Sequence, residues 1–176
     1  MPHAPEWCLD GDVIVLGDLR VTVARIAASH WQPDGRLRSW GQVPMQREND
    51  AVLLPCASDE CLWLGAWLED GSIDGPAEAP TPACIAVRDP ASGGSAIAAL
   101  PDAYQLGALR GDHAPPEPLH LAVHQASRRL ALELECGAVR AAFDLVLLPP
   151  TAWAARAHRA PPLPLDAPPP LPPRLG

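Results

Sequence analysis

A chain of 176 residues, 48% of them hydrophobic, is long and apolar enough to bury one core of common domain size. Charged residues are only 19% of the total and sum to −8, which leaves no cationic surface for polyphosphate or anionic lipid, so neither nucleic acid nor a membrane is expected as a partner. The 13 residues of the Lys-plus-Arg count are all arginine; without lysine the chain has no Gly-rich phosphate loop with its Lys, no Schiff base, no Ser-Lys dyad and no kinase strand lysine.

The N-terminal stretch MPHAPEWCLDGDVIVLG reaches its apolar residues through acidic ones, and the run is only a strand long, so neither a signal peptide nor a membrane span is expected. Proline, glycine and aspartate then recur at short intervals and leave segments of strand length between them. Residues 13–16 and 19–28 form a hairpin through Gly17 and Asp18. Leu19, Val21 and Val23 are in phase but Ile26 falls on the other parity, which predicts a bulge near Arg25. Pro33, Asp34 and Gly35 suit a turn that would place Trp31 and Trp40 on opposing arms.

Strands follow at 51–54 and 61–68. The second carries Trp63 and Trp67 on one face with Gly65 between them, and Leu62, Leu64 and Ala66 on the other. Two apolar faces predict a central strand, while a flat aromatic pair with a gap is also a stacking platform for a sugar ring or a peptide. Asp70, Ser72, Asp74 and Gly75 match the start of a calcium loop, but the position that should hold a bidentate glutamate is Thr81, and Pro76 and Pro80 forbid the exiting helix. A plain turn is the expected reading. Further strands are predicted at 84–88, 95–100 and 104–109, with His113 in the loop that comes next.

Residues 119–124, 130–136 and 139–147 each alternate apolar and more polar positions, which predicts an antiparallel meander with Leu121, Val123, Leu132, Leu134, Phe143 and Leu145 on one core. Its polar face would collect His120, His124 and Glu133, residue types that bind zinc, iron or manganese, although the α-carbons of the two histidines would stand about 13 Å apart along a strand. A helix is predicted over 151–158, with Thr151 as its cap and Trp153 docked on the body. From 161 on the chain reads PPLPLDAPPPLPPRLG, a polyproline II composition in which Leu171 and Arg174 are the side chains suited to a groove.

The resulting expectation is an all-β fold: an antiparallel β-sandwich or barrel of about ten short strands over 1–149, a short helix at 150–160 and a proline-rich tail at 161–176. Five cysteines, an odd number without C-x-x-C spacing, read as reduced thiols of a cytoplasmic protein. No cofactor is called for. The function expected is a non-enzymatic binding or assembly module whose partner is another protein or a second copy of the chain, with Trp31, Trp40, Trp63, Trp67, Leu171 and Arg174 as contact residues. The alternatives are a metal-dependent barrel protein using His120, His124 and Glu133, or Asp70 and Asp74, and a carbohydrate-binding module.

Overall fold

The computed structural model describes residues 6–34, 37–69 and 81–165. In chain order the strands are β1 (Cys8–Asp10), β2 (Val13–Leu16), β3 (Leu19–Ala27), β4 (Gln46–Glu48), β5 (Ala51–Pro55), β6 (Glu60–Leu68), β7 (Ala83–Arg88), β8 (Ser95–Leu100), β9 (Gln105–Leu106), β10 (Ala108–Leu109), β11 (Glu117–Pro118), β12 (Arg128–Cys136) and β13 (Val139–Leu148). One helix, α1 (Pro150–Ala157), and a single 3-10 turn at Ala28–His30 complete the regular structure among the described residues. The chain is mostly β, as its composition predicts.

The first sheet has the order β1-β2-β3-β6-β9 and the second β4-β5-β13-β12-β7-β8; both are open among the described residues, and β10 pairs separately with β11. Their inner faces meet in one core, to which the first sheet contributes Leu19, Val21, Leu62 and Leu64 and the second Ile85, Leu130, Leu132 and Leu145. Each such side chain taken fully out of water stabilises the fold by about 1.5–3 kcal/mol, so the period of two in these strands is what drives the two sheets together. Tight two-residue turns set the registers: Gly17 at φ 56° lets Leu16 face Leu19, and Gly137 at φ 59° lets Cys136 face Val139.

The antiparallel expectation holds for every strand pairing among the described residues except one: β5 runs parallel to β13, from Ala51 opposite Asp144 to Pro55 opposite Leu148. Parallel neighbours need a long connection, and nearly half of the chain, residues 56–138, lies between these two strands. The bulge predicted in β3 is absent. Its ladder with β6 runs unbroken from Leu19 opposite Leu68 to Ala27 opposite Glu60. The change of parity has another cause: Ile26 joins Ala24, Cys61 and Trp63 on the outer face, under Trp31 and Leu37, while Arg25 points inward. Trp31 and Leu37 therefore cover this face, and Trp31 and Trp40 are not the arms of a hairpin.

The meander is corrected as well. β12 and β13 form the predicted hairpin, but the other neighbour of β12 is β7. Residues 119–124 form no strand: Leu119 makes one bridge to Leu62, Leu121 is buried, and the chain then turns, with Gln125 N donating to Ala122 O and Gln125 Oε1 accepting from Ala122 N, both at 2.9 Å. Val123, expected in the core, is 86% exposed. α1 starts one residue earlier than predicted, with Pro149 at its cap and Pro150 in the first turn, so Thr151 does not cap. Trp153 docks as expected. It is fully buried against Leu53, Val146 and Leu148, and its Nε1 donates to Leu53 O at 3.0 Å.

Candidate functional site

Beyond β8 the chain folds back along that strand's outer edge. Ser95 and Arg110 exchange both backbone hydrogen bonds, at 3.0 and 2.9 Å, which closes the ladder at that end. Two residues before Arg110 the chain forms β10, and at Gln105–Leu106 it has already crossed to pair with β6 in the first sheet. At the other end of β8 the C=O of Ala99 is taken by Ala103 N at 2.8 Å. Because hydrogen-bonding direction alternates along an antiparallel strand, Ile97 points its N–H and C=O to the same side as Ser95 and Ala99, between these two closures. The Ile97 side chain is 70% exposed.

A cleft of about 690 Å³ opens there. Its floor is made of small residues on the outer face of the second sheet, Ala86 on β7 and Ala131 on β12, and its flank of Gly107, Ala108 and Pro33. A Cβ at Gly107 would lie 2.4 Å from Leu37 Cδ1 and 3.1 Å from Trp63 Cβ, so a side chain there would force Leu37 to move. The polar groups are ordered by register. Ser95 is the ladder partner of Arg88 on one side and of Arg110 on the other, so the two arginines flank a serine on one face. Arg110 is ion-paired with Asp34, both of them exposed, whereas Arg88 has no carboxylate within ion-pair reach among the described residues. Glu133 stands beyond the Ala86 floor.

A buried arginine fixes this end of the cleft. Arg128 donates from Nε and Nη2 to Asp89 Oδ2 at 3.1 and 2.7 Å, from Nη1 to the carbonyls of Pro118 and His120 at 3.1 and 2.9 Å, and from Nη2 to Glu117 Oε1 at 3.2 Å. Asp89, next to Arg88, caps the β7–β8 turn by accepting from Ala91 N at 2.8 Å, and the Ser92 hydroxyl donates to Glu117 at 2.7 Å. The sequence SGGS is thus a held turn. Burial alone would push the Asp89 carboxyl up, but the Arg128 hydrogen bonds and the turn N–H groups outweigh it and hold the group below its ordinary value.

A second buried arginine lies between the sheets. Arg25 Nη1 donates to Glu60 Oε1 at 2.6 Å, and Arg25 Nε has no acceptor among the described residues. Near Glu60, burial pushes Cys56 up to about 12, against a Leu121 backbone hydrogen bond that lowers it, and Cys61 up to about 11, with the Glu60 charge adding to each, so both stay protonated. All five cysteines are free; Cys56 packs in the main core and Cys61 on the outer face of the first sheet.

The aromatic residues singled out in the sequence separate. Trp63 is buried, with its Nε1 donating to Arg38 O at 3.2 Å and its ring over Gly65; Trp31 is half-buried and donates to Gly107 O at 2.9 Å. Trp40, tilted on His30, and Trp67 are exposed. Trp31 and Trp63 therefore shape the wall that holds the 105–108 segment. His120 and His124 lie in the turn-forming stretch and not on a face with Glu133, and among the described residues no three His, Cys, Asp or Glu side chains converge as a metal site. Asp70, Asp74, Leu171 and Arg174 lie outside the described residues. Sequence reasoning missed Arg88, Ser95, Ile97 and Arg110, which only the β8 register brings together. No protein-family model, no curated protein and no solved structure matches this chain.

Proposed function

We propose that the chain is a non-enzymatic β-sandwich binding module that receives an extended segment of a partner protein in the cleft beside β8. The observation that carries this reading is the cleft of about 690 Å³ on the outer face of the second sheet, where an exposed Ile97 and a floor of alanines lie beside Arg88, Ser95 and Arg110. An apolar floor of this kind provides contact area for an extended peptide, and the flanking polar side chains provide selectivity. The buried, protonated thiols support residence in a reducing compartment, and the proline-rich stretch from 161 on is a second contact element through Leu171 and Arg174.

The test is a titration of the ¹⁵N-labelled protein with a synthetic pool of N-acetylated random hexapeptides, half with free carboxyl ends and half amidated. Shifts confined to the amides of Ser95, Ile97, Ala108 and Arg110, and lost when Ala86→Trp fills the floor, are the expected result. Shifts centred on Trp67 or Trp40, or none at all, would overturn the assignment of the cleft.

A further inference from the structure

We infer that the cleft beside β8 selects its partner segment by an anionic side chain, carboxylate or phosphoryl, which it holds over Ser95 between Arg88 and Arg110. This deepens the function proposed above and rests on it. The segment lies on the outer face of the second sheet and adds no strand to it, because the chain from β9 to Arg110 already follows the edge of β8. The first ground is register. Ser95 and Arg110 exchange both backbone hydrogen bonds, so their α-carbons stand about 5.5 Å apart, and Arg88, the partner of Ser95 on its other side, is about 4.5 Å away as a non-hydrogen-bonded pair. All three side chains belong to the outer face and line the cleft. Two guanidinium groups on long stems, with α-carbons about 10 Å apart, thus flank one hydroxyl. Such a row of donors matches a group with two or three acceptor oxygens.

The second ground is charge. The chain as a whole carries −8, yet Arg88 has no carboxylate within ion-pair reach among the described residues. The Asp34 partner of Arg110 is 82% exposed at its side chain, so an incoming anion that takes its place disturbs no buried contact. Glu133 stands one row away, beyond Ala86, and repels an anion from that part of the floor, which confines the anion to the row of Ser95. Ala86, Ala131 and the exposed Ile97 leave an apolar surface for the neighbouring residues of the segment. A carboxylate fills one guanidinium fork, whereas a phosphoryl group has charge and oxygens for both.

The closing experiment uses N-acetylated, amidated hexapeptides in three pools that differ at one fixed position, glutamine, glutamate or phosphoserine, and carry no other acidic residue. The glutamate pool is expected to shift the Arg88, Ser95 and Arg110 amides at concentrations at least about tenfold below those needed for the glutamine pool, and the phosphoserine pool at lower concentrations again. A preference for both anions, or for phosphoserine alone, supports the reading, and the order of the two names the source of the charge. Arg88→Gln combined with Arg110→Gln, both on exposed side chains and so compatible with folding, should erase that preference. Equal binding of the three pools to the parent would overturn the anion reading while leaving the cleft a peptide site. A preference that survives the double substitution would place the anion elsewhere and overturn it too. Binding of no pool would remove both readings.

Discussion

Two arginines are buried in this fold and their surroundings differ. Arg128 uses all three guanidinium nitrogens and reaches Asp89, Glu117 and the carbonyls of Pro118 and His120. Arg25 has one close carboxylate, Glu60, and an Nε–H with no acceptor among the described residues. A buried charge is stabilising only to the extent that its hydrogen-bonding capacity is met, because its desolvation cost is owed in full either way. Arg128 therefore acts as a clamp: it ties the β7–β8 turn of the second sheet to the 117–120 stretch, whose Leu119 bridges to Leu62 in the first. Arg25 closes the end of the core with fewer hydrogen bonds among the described residues.

The largest effect follows from the clamp. Arg128→Met leaves Asp89, 4% exposed, without its partner, and breaking a buried pair from one side costs about 3–5 kcal/mol. At about 2–4 °C per kcal/mol for a domain of this size, the melting temperature should fall by about 10 °C. The pH dependence checks the cause. The folded Asp89 carboxyl lies below its unfolded value, so its contribution is present above about pH 4 and is lost as the pH drops through the folded value. Urea midpoints of the parent and the variant should accordingly draw together below about pH 4 and stay apart between pH 5 and 8. A constant gap would show that Asp89 is not what the substitution exposes.

At Arg25 the outcome should depend on whether one or both partners change. Arg25→Met or Glu60→Leu alone strands the other charge and should cost about 3 kcal/mol, whereas the two together replace a poorly satisfied pair by apolar groups and should be neutral or stabilising by about 1 kcal/mol. The equivalent double substitution at Arg128 and Asp89 should not recover, since it also leaves the Pro118 and His120 carbonyls and the Ala91 N–H without partners. Chemical denaturation of the two cycles decides the matter; recovery at both sites would mean that the hydrogen bonds around Arg128 add nothing to its charge.

Much of the fold could be read from alternation, and both buried arginines were within its reach. Arg25 continues the phase of Leu19, Val21 and Val23, and Arg128 opens the phase of Leu130, Leu132 and Leu134, so each stands where a core side chain is due. Taking Ile26 as the anchor instead suggested a bulge, because an outer face covered by Trp31 and Leu37 is not visible in a local pattern. Residues 119–124 failed for the opposite reason. Three alternating positions satisfy the strand pattern, but the turn made by Gln125 is a side-chain event that periodicity does not record. The cleft was beyond reading altogether: Arg88, Ser95 and Arg110 become neighbours only through two ladders whose registers are set by tertiary packing.

The smallest effect is expected one residue from the largest. Arg129 follows Arg128 on β12 but faces outward, and its Nη1 is 2.5 Å from Asp144 Oδ2 on β13. The distance is shorter than any made by Arg128, yet the two side chains are 59% and 38% exposed. Water already solvates both charges in the unfolded chain and continues to do so here, so closing the pair returns little and its side-chain entropy offsets part of that. Arg129→Ala should cost at most about 1 kcal/mol, and a double-mutant cycle with Asp144→Ala should give a coupling of about 0.2–1 kcal/mol. That coupling should shrink in 1 M salt, where the screening length is about 3 Å, while the loss caused by Arg128→Met should not. A coupling at Arg129 as large as the Arg128 effect would mean that distance, and not burial with complete hydrogen bonding, sets the strength of these pairs.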